Sequence, residues 1–236
     1  MSRAHPAVKV RANLRDLERR LGREALRWVQ LGPPALSHLP EYRIAQLSGQ
    51  IDHIGVEDFS AEMLDKMSRS LRIATVQQEV NLLVRPSAAS IAFCERHGCK
   101  FVAYGPLLGG LLSDLYLGQE QAPHPDADHS KVWDYLDSIE AWGGWSRFQR
   151  LLRVLRQIAD AHDGATIAPV SAAYLLQLPY MLAMIVGVRL HSPEGHGTHH
   201  KLDSLRALTL TLTPSEVALI DDAVAAGSVL DGLSRT

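Results

Sequence analysis

Apolar and polar residues follow two alternating spacings along the first half of the chain. Nearly continuous apolar runs predict strands at 26–31, 52–58, 73–80 and 100–107. Apolar residues three or four positions apart predict helices at 12–22, 41–49, 61–71 and 86–98. Continuous apolar strands that alternate with helices are typical of a parallel sheet covered by helices, so the pattern predicts an α/β fold.

The second half begins with an interruption. Residues 108–145 are rich in Gly, Pro, His and Asp, and they predict a long loop excursion. After it the pattern predicts helices at 146–164 and 168–178, a buried strand at 182–190, a short helix near 201–208 and a last helix capped by Thr213. The total is five strands in one domain of 1–236, whereas a closed (β/α)₈ barrel needs eight.

Composition adds exclusions rather than a function. The 236 residues are 46% hydrophobic and 21% charged, which is ordinary for a globular domain, and the net charge of −2 offers no basic field for nucleic acid. No apolar run is long enough for a membrane span, and the first residues contain no apolar signal region, so a cytoplasmic protein is expected. Cys94 and Cys99 are interpreted as reduced, structural cysteines.

Two neighbouring acids form the first candidate site. Glu57 and Asp58 follow the apolar run "IDHIGV", and acids at the end of a buried strand need partners or a chemical role. Successive strand residues face opposite sides, so at most one of them points into a barrel mouth unless the strand has ended. The alternative is that Asp58 caps the following helix and Glu57 is exposed.

Histidines suggest a weaker possibility. In "HSPEGHGTHH", His196 with His199 or His200 could share a helix face and bind a metal. A solvated loop is the favoured interpretation, and no metal site is predicted there. His53, before the strand core, is interpreted as structural.

Five segments in register resemble the aldo-keto reductase family: "HIGVEDFSAEML", "VQQEVNLLVRP", "FVAYGPLLGGLLS", "EAWGGWSRFQ" and "SAAYLLQLPYMLAMIVGVRL". The resemblance implies a (β/α)₈ barrel that reduces carbonyls with NADPH at the C-terminal mouth. Strand 26–31 then corresponds to the fourth barrel strand and 182–190 to the eighth. The expected fold is therefore an incomplete (β/α)₈, TIM-type barrel of about five parallel strands with surrounding helices.

The same alignment leaves the reductase tetrad without counterparts. In the family an Asp, a Tyr and a Lys come from the first three strands, and a His ends the fourth, where this chain has Gly32. An acid is needed to protonate the alkoxide that forms when hydride reaches a carbonyl. The resemblance therefore predicts a member that has lost the usual reductase chemistry.

Cofactor positions are partly kept. Gln77 matches a nicotinamide-binding Gln, Tyr104 a stacking ring, Pro106 the loop beside the pyrophosphate, and Arg189 a residue near the adenosine phosphate. Glu57 and Asp58 replace a Ser–Asn or Thr–Asn pair. An amide needs both a donor and an acceptor, whereas carboxylates only accept. No cofactor is therefore expected, with NADP as the alternative.

Several other side chains could belong to this site. Ser204 stands where an adenine-binding Asn is expected. Trp142 and Trp145 either line the pocket or anchor the long loop, and three further aromatic residues of the 108–145 segment could form a substrate lid. These are Tyr116, Trp133 and Tyr135.

Five strands cannot close a barrel of eight-strand geometry, so strand 26–31 would have an unpaired edge. The N-terminal helix or a second copy of the chain could cover this edge, and we expect a homodimer across it. The alternative is that the sequence comes from a truncated gene model.

Three functions fit these features. In the first, Glu57 or Asp58 is the general acid or base for proton chemistry of isomerase, cyclase or lyase (dehydratase) type, with Tyr104 and Gln77 holding a small molecule. The second is an NADPH-dependent carbonyl reductase with a different acid. The third is a non-catalytic binding protein on the same scaffold. A small molecule is the expected partner, with neither nucleic acid nor a membrane.

Overall fold

The computed structural model describes residues 14, 16, 19–20, 22, 27–33, 38–124, 130–187, 205–228 and 230–231. Within these residues the strands are β1 (Trp28–Leu31), β2 (His53–Glu57), β3 (Ile73–Glu79), β4 (Val84–Arg85), β5 (Lys100–Tyr104), β6 (Met181–Met184) and β7 (Leu230–Asp231). The helices are α1 (Leu39–Leu47), α2 (Ala61–Ser68), α3 (Ala88–His97), α4 (Ser130–Trp142), α5 (Trp145–Asp160), α6 (Ile167–Leu176) and α7 (Pro214–Ala225). Short 3₁₀ turns occupy Leu108–Gly110 and Asp114–Tyr116.

Five strands form one open parallel sheet in the order β1-β2-β3-β5-β6. Trp28 pairs with His53 and Leu31 with Val56, and Glu57 pairs with Gln77. The five predicted parallel strands are confirmed, and with the helices they make the expected incomplete barrel. The edge positions belong to β1 and β6, and a homodimer across the β1 edge stays a prediction.

Helix ends follow the cap residues that the sequence supplies. Ser60 accepts a hydrogen bond from the Met63 N–H, and α3 ends at Gly98 in the left-handed conformation. Thr213 and Glu216 form a reciprocal capping box at the start of α7. These three boundaries are therefore set by local hydrogen bonds.

The chain divides into two compact units, of which the first contains 1–78 and 87–102 and the second contains 79–86 and 103–236. In the first unit, Ile54, Val56, Leu64, Val76 and Phe93 are completely buried. In the second unit the core comes mainly from α5 and α6, with Phe148, Leu152, Leu155, Ile167 and Leu175 completely buried. Each unit therefore has an apolar core of its own.

Two expectations about the elements were wrong, and one strand pairing was not expected. The segment 108–145 is not a plain loop, because it contains α4 and the two 3₁₀ turns. The strand expected at 182–190 is observed only at Met181–Met184, and it is not buried, since Leu182 is 55% exposed. The parallel pairing of β4 with β7 was not expected.

Most of the helix expected at 12–22 and half of the one near 201–208 lie outside the described residues, as does all of the histidine-rich loop. Among the described helices, none combines the length and apolar character that crossing a bilayer requires.

Candidate functional site

Glu57 and Gln77 meet at the carboxyl ends of two neighbouring strands. Glu57 is the last residue of β2 and pairs in register with Gln77 of β3. The Gln77 Nε2 group donates to Glu57 Oε1 over 2.7 Å, and both side chains are half-buried. A short bond from a neutral amide to a carboxylate fixes the orientation of the acid without neutralising it.

Asp58 follows after the strand has ended. Its N–H donates to the Gln77 carbonyl at 3.0 Å, and its φ of 55° is in the left-handed region, which Asp tolerates better than most residues. The suggestion that Asp58 caps α2 is wrong, because Ser60 supplies that cap.

Gln78 and the Phe59 ring fix the turn that carries both acids. Gln78 is buried and its Nε2 donates to the Phe59 carbonyl at 3.2 Å, while the Phe59 ring is completely buried. Gln77 and Gln78 lie on opposite faces of β3, so one contacts the Glu57 side chain and the other the backbone of the turn. The position of the acid pair is therefore set from both faces of the sheet.

Gly55 belongs to the same face as Glu57, two residues earlier in β2. A Cβ atom there would lie 2.0 Å from Gln30 Oε1 and 2.7 Å from Thr75 Oγ1. The missing side chain lets polar groups from β1 and β3 approach across β2. The face that carries Glu57 is consequently polar, whereas Ile54, Val56 and Val76 on the opposite face are completely buried.

Tyr104 and Pro106 belong to the second unit. Tyr104 ends β5, and its carbonyl accepts from the Val80 N–H at 3.2 Å, while Pro106 is buried in the following turn. Tyr135 of α4 covers this turn, since a Cβ at Gly105 would lie 2.7 Å from its hydroxyl and one at Gly109 would lie 2.9 Å from its ring. The side chain of Tyr135 therefore lies against the loop that the resemblance places beside a pyrophosphate.

Trp142 is completely buried, and its Nε1 donates to the Val224 carbonyl at 3.2 Å. This contact ties α4 to α7, which favours the anchoring alternative over a pocket role. Trp145 Nε1 donates to the Gln119 carbonyl at 2.8 Å, and its ring meets Tyr116 edge-on. Trp133 packs edge-on against His124. Arg189 and Ser204 lie outside the described residues.

A polar network around the buried Tyr174 in the second unit was not predicted from the sequence. Arg85 Nη2 donates to the Tyr174 hydroxyl at 3.1 Å, the Arg85 guanidinium lies 5.0 Å from the centre of that ring, and the Tyr174 hydroxyl donates to Asp221 Oδ1. Burial raises the pKa of Tyr174 to about 12, so its hydroxyl stays protonated. The two bonded pairs of this network are 89 and 47 residues apart in the sequence, and no local pattern connects them.

The profile of the Aldo/keto reductase family matches residues 24–225. With the open parallel sheet and its helices, this match shows that the chain belongs to the aldo/keto reductase family. Members of this family normally bind NADP.

The solved structures support the fold. The chain matches a glycerol dehydrogenase from Gluconobacter oxydans with a TM-score of 0.72 and 19% identity, over 96% of this chain and 66% of that one. It matches an aldo-keto reductase from Bacillus halodurans, in its holo form, with a TM-score of 0.66 and 16% identity, over 93% of this chain and 68% of that one. At such identities the likeness concerns the fold alone.

One curated relative is similar in sequence. The flagellar radial spoke protein 5 of Chlamydomonas reinhardtii is 40% identical over 119 residues, which are 48% of this chain and 22% of that protein. The chain thus spans about a fifth of this relative and about two-thirds of the solved structures.

The residues at the Glu57 site match a nicotinamide amide only in part. Glu57 only accepts hydrogen bonds, whereas the Gln77 amide has two N–H groups, of which one donates to Glu57 and the second can donate to a ligand carbonyl. The acceptor oxygens of the Glu57 carboxylate suit a ligand that brings its own N–H, O–H or acidic C–H group.

Proposed function

We propose that Glu57 acts as a general acid–base in proton transfer on a small organic molecule, without NADPH, in a reaction of isomerase, cyclase or lyase type. The observation that carries this proposal is the 2.7 Å bond from Gln77 Nε2 to Glu57 Oε1 at the carboxyl edge of the sheet. Active sites of barrels of this class lie at that edge. The bond holds one carboxylate oxygen, and the other has no hydrogen-bond partner among the described residues, which lets it contact a substrate.

The reaction needs no redox partner. In an isomerisation, the Glu57 carboxylate takes a proton from a carbon next to a carbonyl, and the electron pair of the broken C–H bond moves into the carbonyl as an enolate. The same carboxyl group then returns the proton to a different atom of the substrate. Gln77 keeps the oxygen oriented through both steps, and Asp58 lies beside the site as a second acid.

Proton transfer of this kind exchanges a substrate hydrogen with the solvent. We expect the native protein in D₂O to incorporate deuterium into one member of a panel of small ketones, aldehydes and hydroxy acids. Proton NMR measures this exchange as the loss of a substrate proton signal. Glu57→Gln should lower that exchange rate by about 10²- to 10⁴-fold, because a positioned acid–base contributes about that much. Glu140→Gln, on the exposed surface of α4, is the matched control and should exchange at the native rate. Exchange at the native rate by Glu57→Gln would refute the assignment.

NADPH-dependent carbonyl reduction is the second candidate, favoured by Gln77 at its family position and by solved relatives that include a glycerol dehydrogenase. Carbonyl-dependent loss of NADPH absorbance with the native protein would support it over proton chemistry.

A non-catalytic binding role is the third candidate, and the radial spoke relative favours it. A protein of this kind would retain ligand binding at the Glu57 site, detected by calorimetry, while no member of the panel exchanged deuterium.

A further inference from the structure

A basic cleft lies in the first unit, at the opposite end of the sheet from Glu57. It has a volume of about 340 Å³ and is formed by α1, the segment from the end of α2 into β3, and the end of α3. Ile73 begins β3, whereas Gln77 lies four residues further along, which is about 13 Å in a strand. The cleft is thus separate from the Glu57 site.

Three arginines supply the charge of this cleft. Arg43, Arg69, Arg72 and His97 line it, and no carboxylate appears among its described lining residues. Within the described part of the chain, the three guanidinium groups make no ion pair. In contrast, Arg27, Arg96 and Arg156 each contact an aspartate. In a chain of net charge −2, three unpaired arginines around one cleft are a local excess of positive charge.

The cleft is held in place by bonds that do not use the arginine side chains. Gln46 Nε2 donates to the Arg72 carbonyl and the Arg72 N–H donates to Gln46 Oε1, both at 2.9 Å. Phe93 stacks on His97 one turn later in α3, with ring centres 4.3 Å apart. The main chain at Arg72 and the imidazole ring of His97 are therefore fixed before any ligand binds.

We propose that this cleft binds a small phosphate-bearing anion. The planar guanidinium group offers paired N–H donors that match phosphate oxygens, and Ser70 lines the same cleft. Its volume is at the lower end of the range for small-molecule sites, and Leu47, 76% exposed at its rim, offers an apolar surface beside the charges. These features fit either free diphosphate or a phosphate ester whose organic part covers Leu47.

Calorimetric titration at low ionic strength tests the proposal, with inorganic pyrophosphate and adenosine monophosphate as probes. We expect at least one probe to bind, and binding to weaken as salt is added. Tighter binding of pyrophosphate supports a free diphosphate as the natural occupant, and tighter binding of the nucleotide supports a phosphate ester. No binding of either probe at millimolar concentration would overturn the proposal.

Variants show whether the cleft is the site. The double variant Arg69→Gln with Arg72→Gln should weaken binding about tenfold. Each substitution removes one exposed ion pair between an arginine and the bound phosphate, while the main-chain bonds from Arg72 to Gln46 remain. Gln46→Leu should also weaken binding although it removes no charge. The control is Arg150→Gln with Arg153→Gln, two exposed arginines of α5 that lose the same charge. Equal loss in the control and the cleft variant would mean that binding is non-specific, and would overturn the proposal.

Discussion

At the scale of single residues, Asp58 combines an acidic side chain with a left-handed backbone. Its φ of 55° places it in a region where a Cβ atom is disfavoured. The strand therefore ends at Glu57, and Asp58 turns the chain toward the Ser60 cap. This conformation helps to shape the site, because Asp58 directly follows Glu57, the residue to which Gln77 donates.

The backbone strain can be measured by comparing two substitutions. Asp58→Ala and Asp58→Gly both remove the carboxylate, but only glycine adopts a φ of 55° without a penalty. We expect Asp58→Gly to be more stable than Asp58→Ala by about 1 kcal/mol in urea unfolding. At Asp65, inside α2, the order should reverse, since alanine favours a helix by about 1 kcal/mol over glycine. An alanine variant at position 58 as stable as the glycine variant would contradict the structure of this turn.

At the scale of elements, α7 is fixed by its first turn. Glu216 accepts from the Thr213 N–H at 2.8 Å and from the Thr213 hydroxyl at 2.9 Å, and His162 Nε2 lies 2.8 Å from its other oxygen. Burial alone would raise the pKa of Glu216, but the hydrogen bonds from Thr213 and His162 outweigh it and lower the pKa. The folded state thus prefers the ionised carboxylate.

This preference predicts the direction of a pH effect. Glu216 stabilises the fold above its ordinary pKa of 4.5, and the contribution is lost as pH falls through the lowered pKa of the folded state. We expect Glu216→Gln to reduce the free energy of unfolding by about 1 kcal/mol at pH 7, and the difference from the native protein to shrink toward pH 3. The exposed Glu95→Gln of α3 is the control. A difference that grew on acidification would contradict the assignment.

Local signals predicted the elements well where the partners were also local. Ser60, Gly98 and Thr213 each end or start a helix through bonds within a few residues. Helix α4 was not predicted because the Gly and Pro content of 108–145 indicated a loop. The spacing of Leu136, Ile139 and Trp142 was the helical signal that could have found it. The exposure of β6 could not be predicted, since an apolar run alone does not determine whether other elements of the fold bury the strand.

At the scale of the whole chain, the family was predictable because five segments match it in register. The alignment assigned Glu57 and Gln77 to one site, but the bond between them was not predicted, because it depends on the register of two strands. The basic cleft was not predictable, since its lining comes from three separate segments. The open edges at β1 and β6 keep a homodimer as our expectation for the assembly.

The most direct test of the central claim is a calorimetric titration of the native protein with NADPH. The claim is that an acid–base pair has replaced the groups that hold a nicotinamide amide, so we expect no binding at millimolar NADPH. Glu57→Ser with Asp58→Asn would restore an amide-binding pair and serves as the comparison. Micromolar binding of NADPH by the native protein would contradict the account and would favour a reductase.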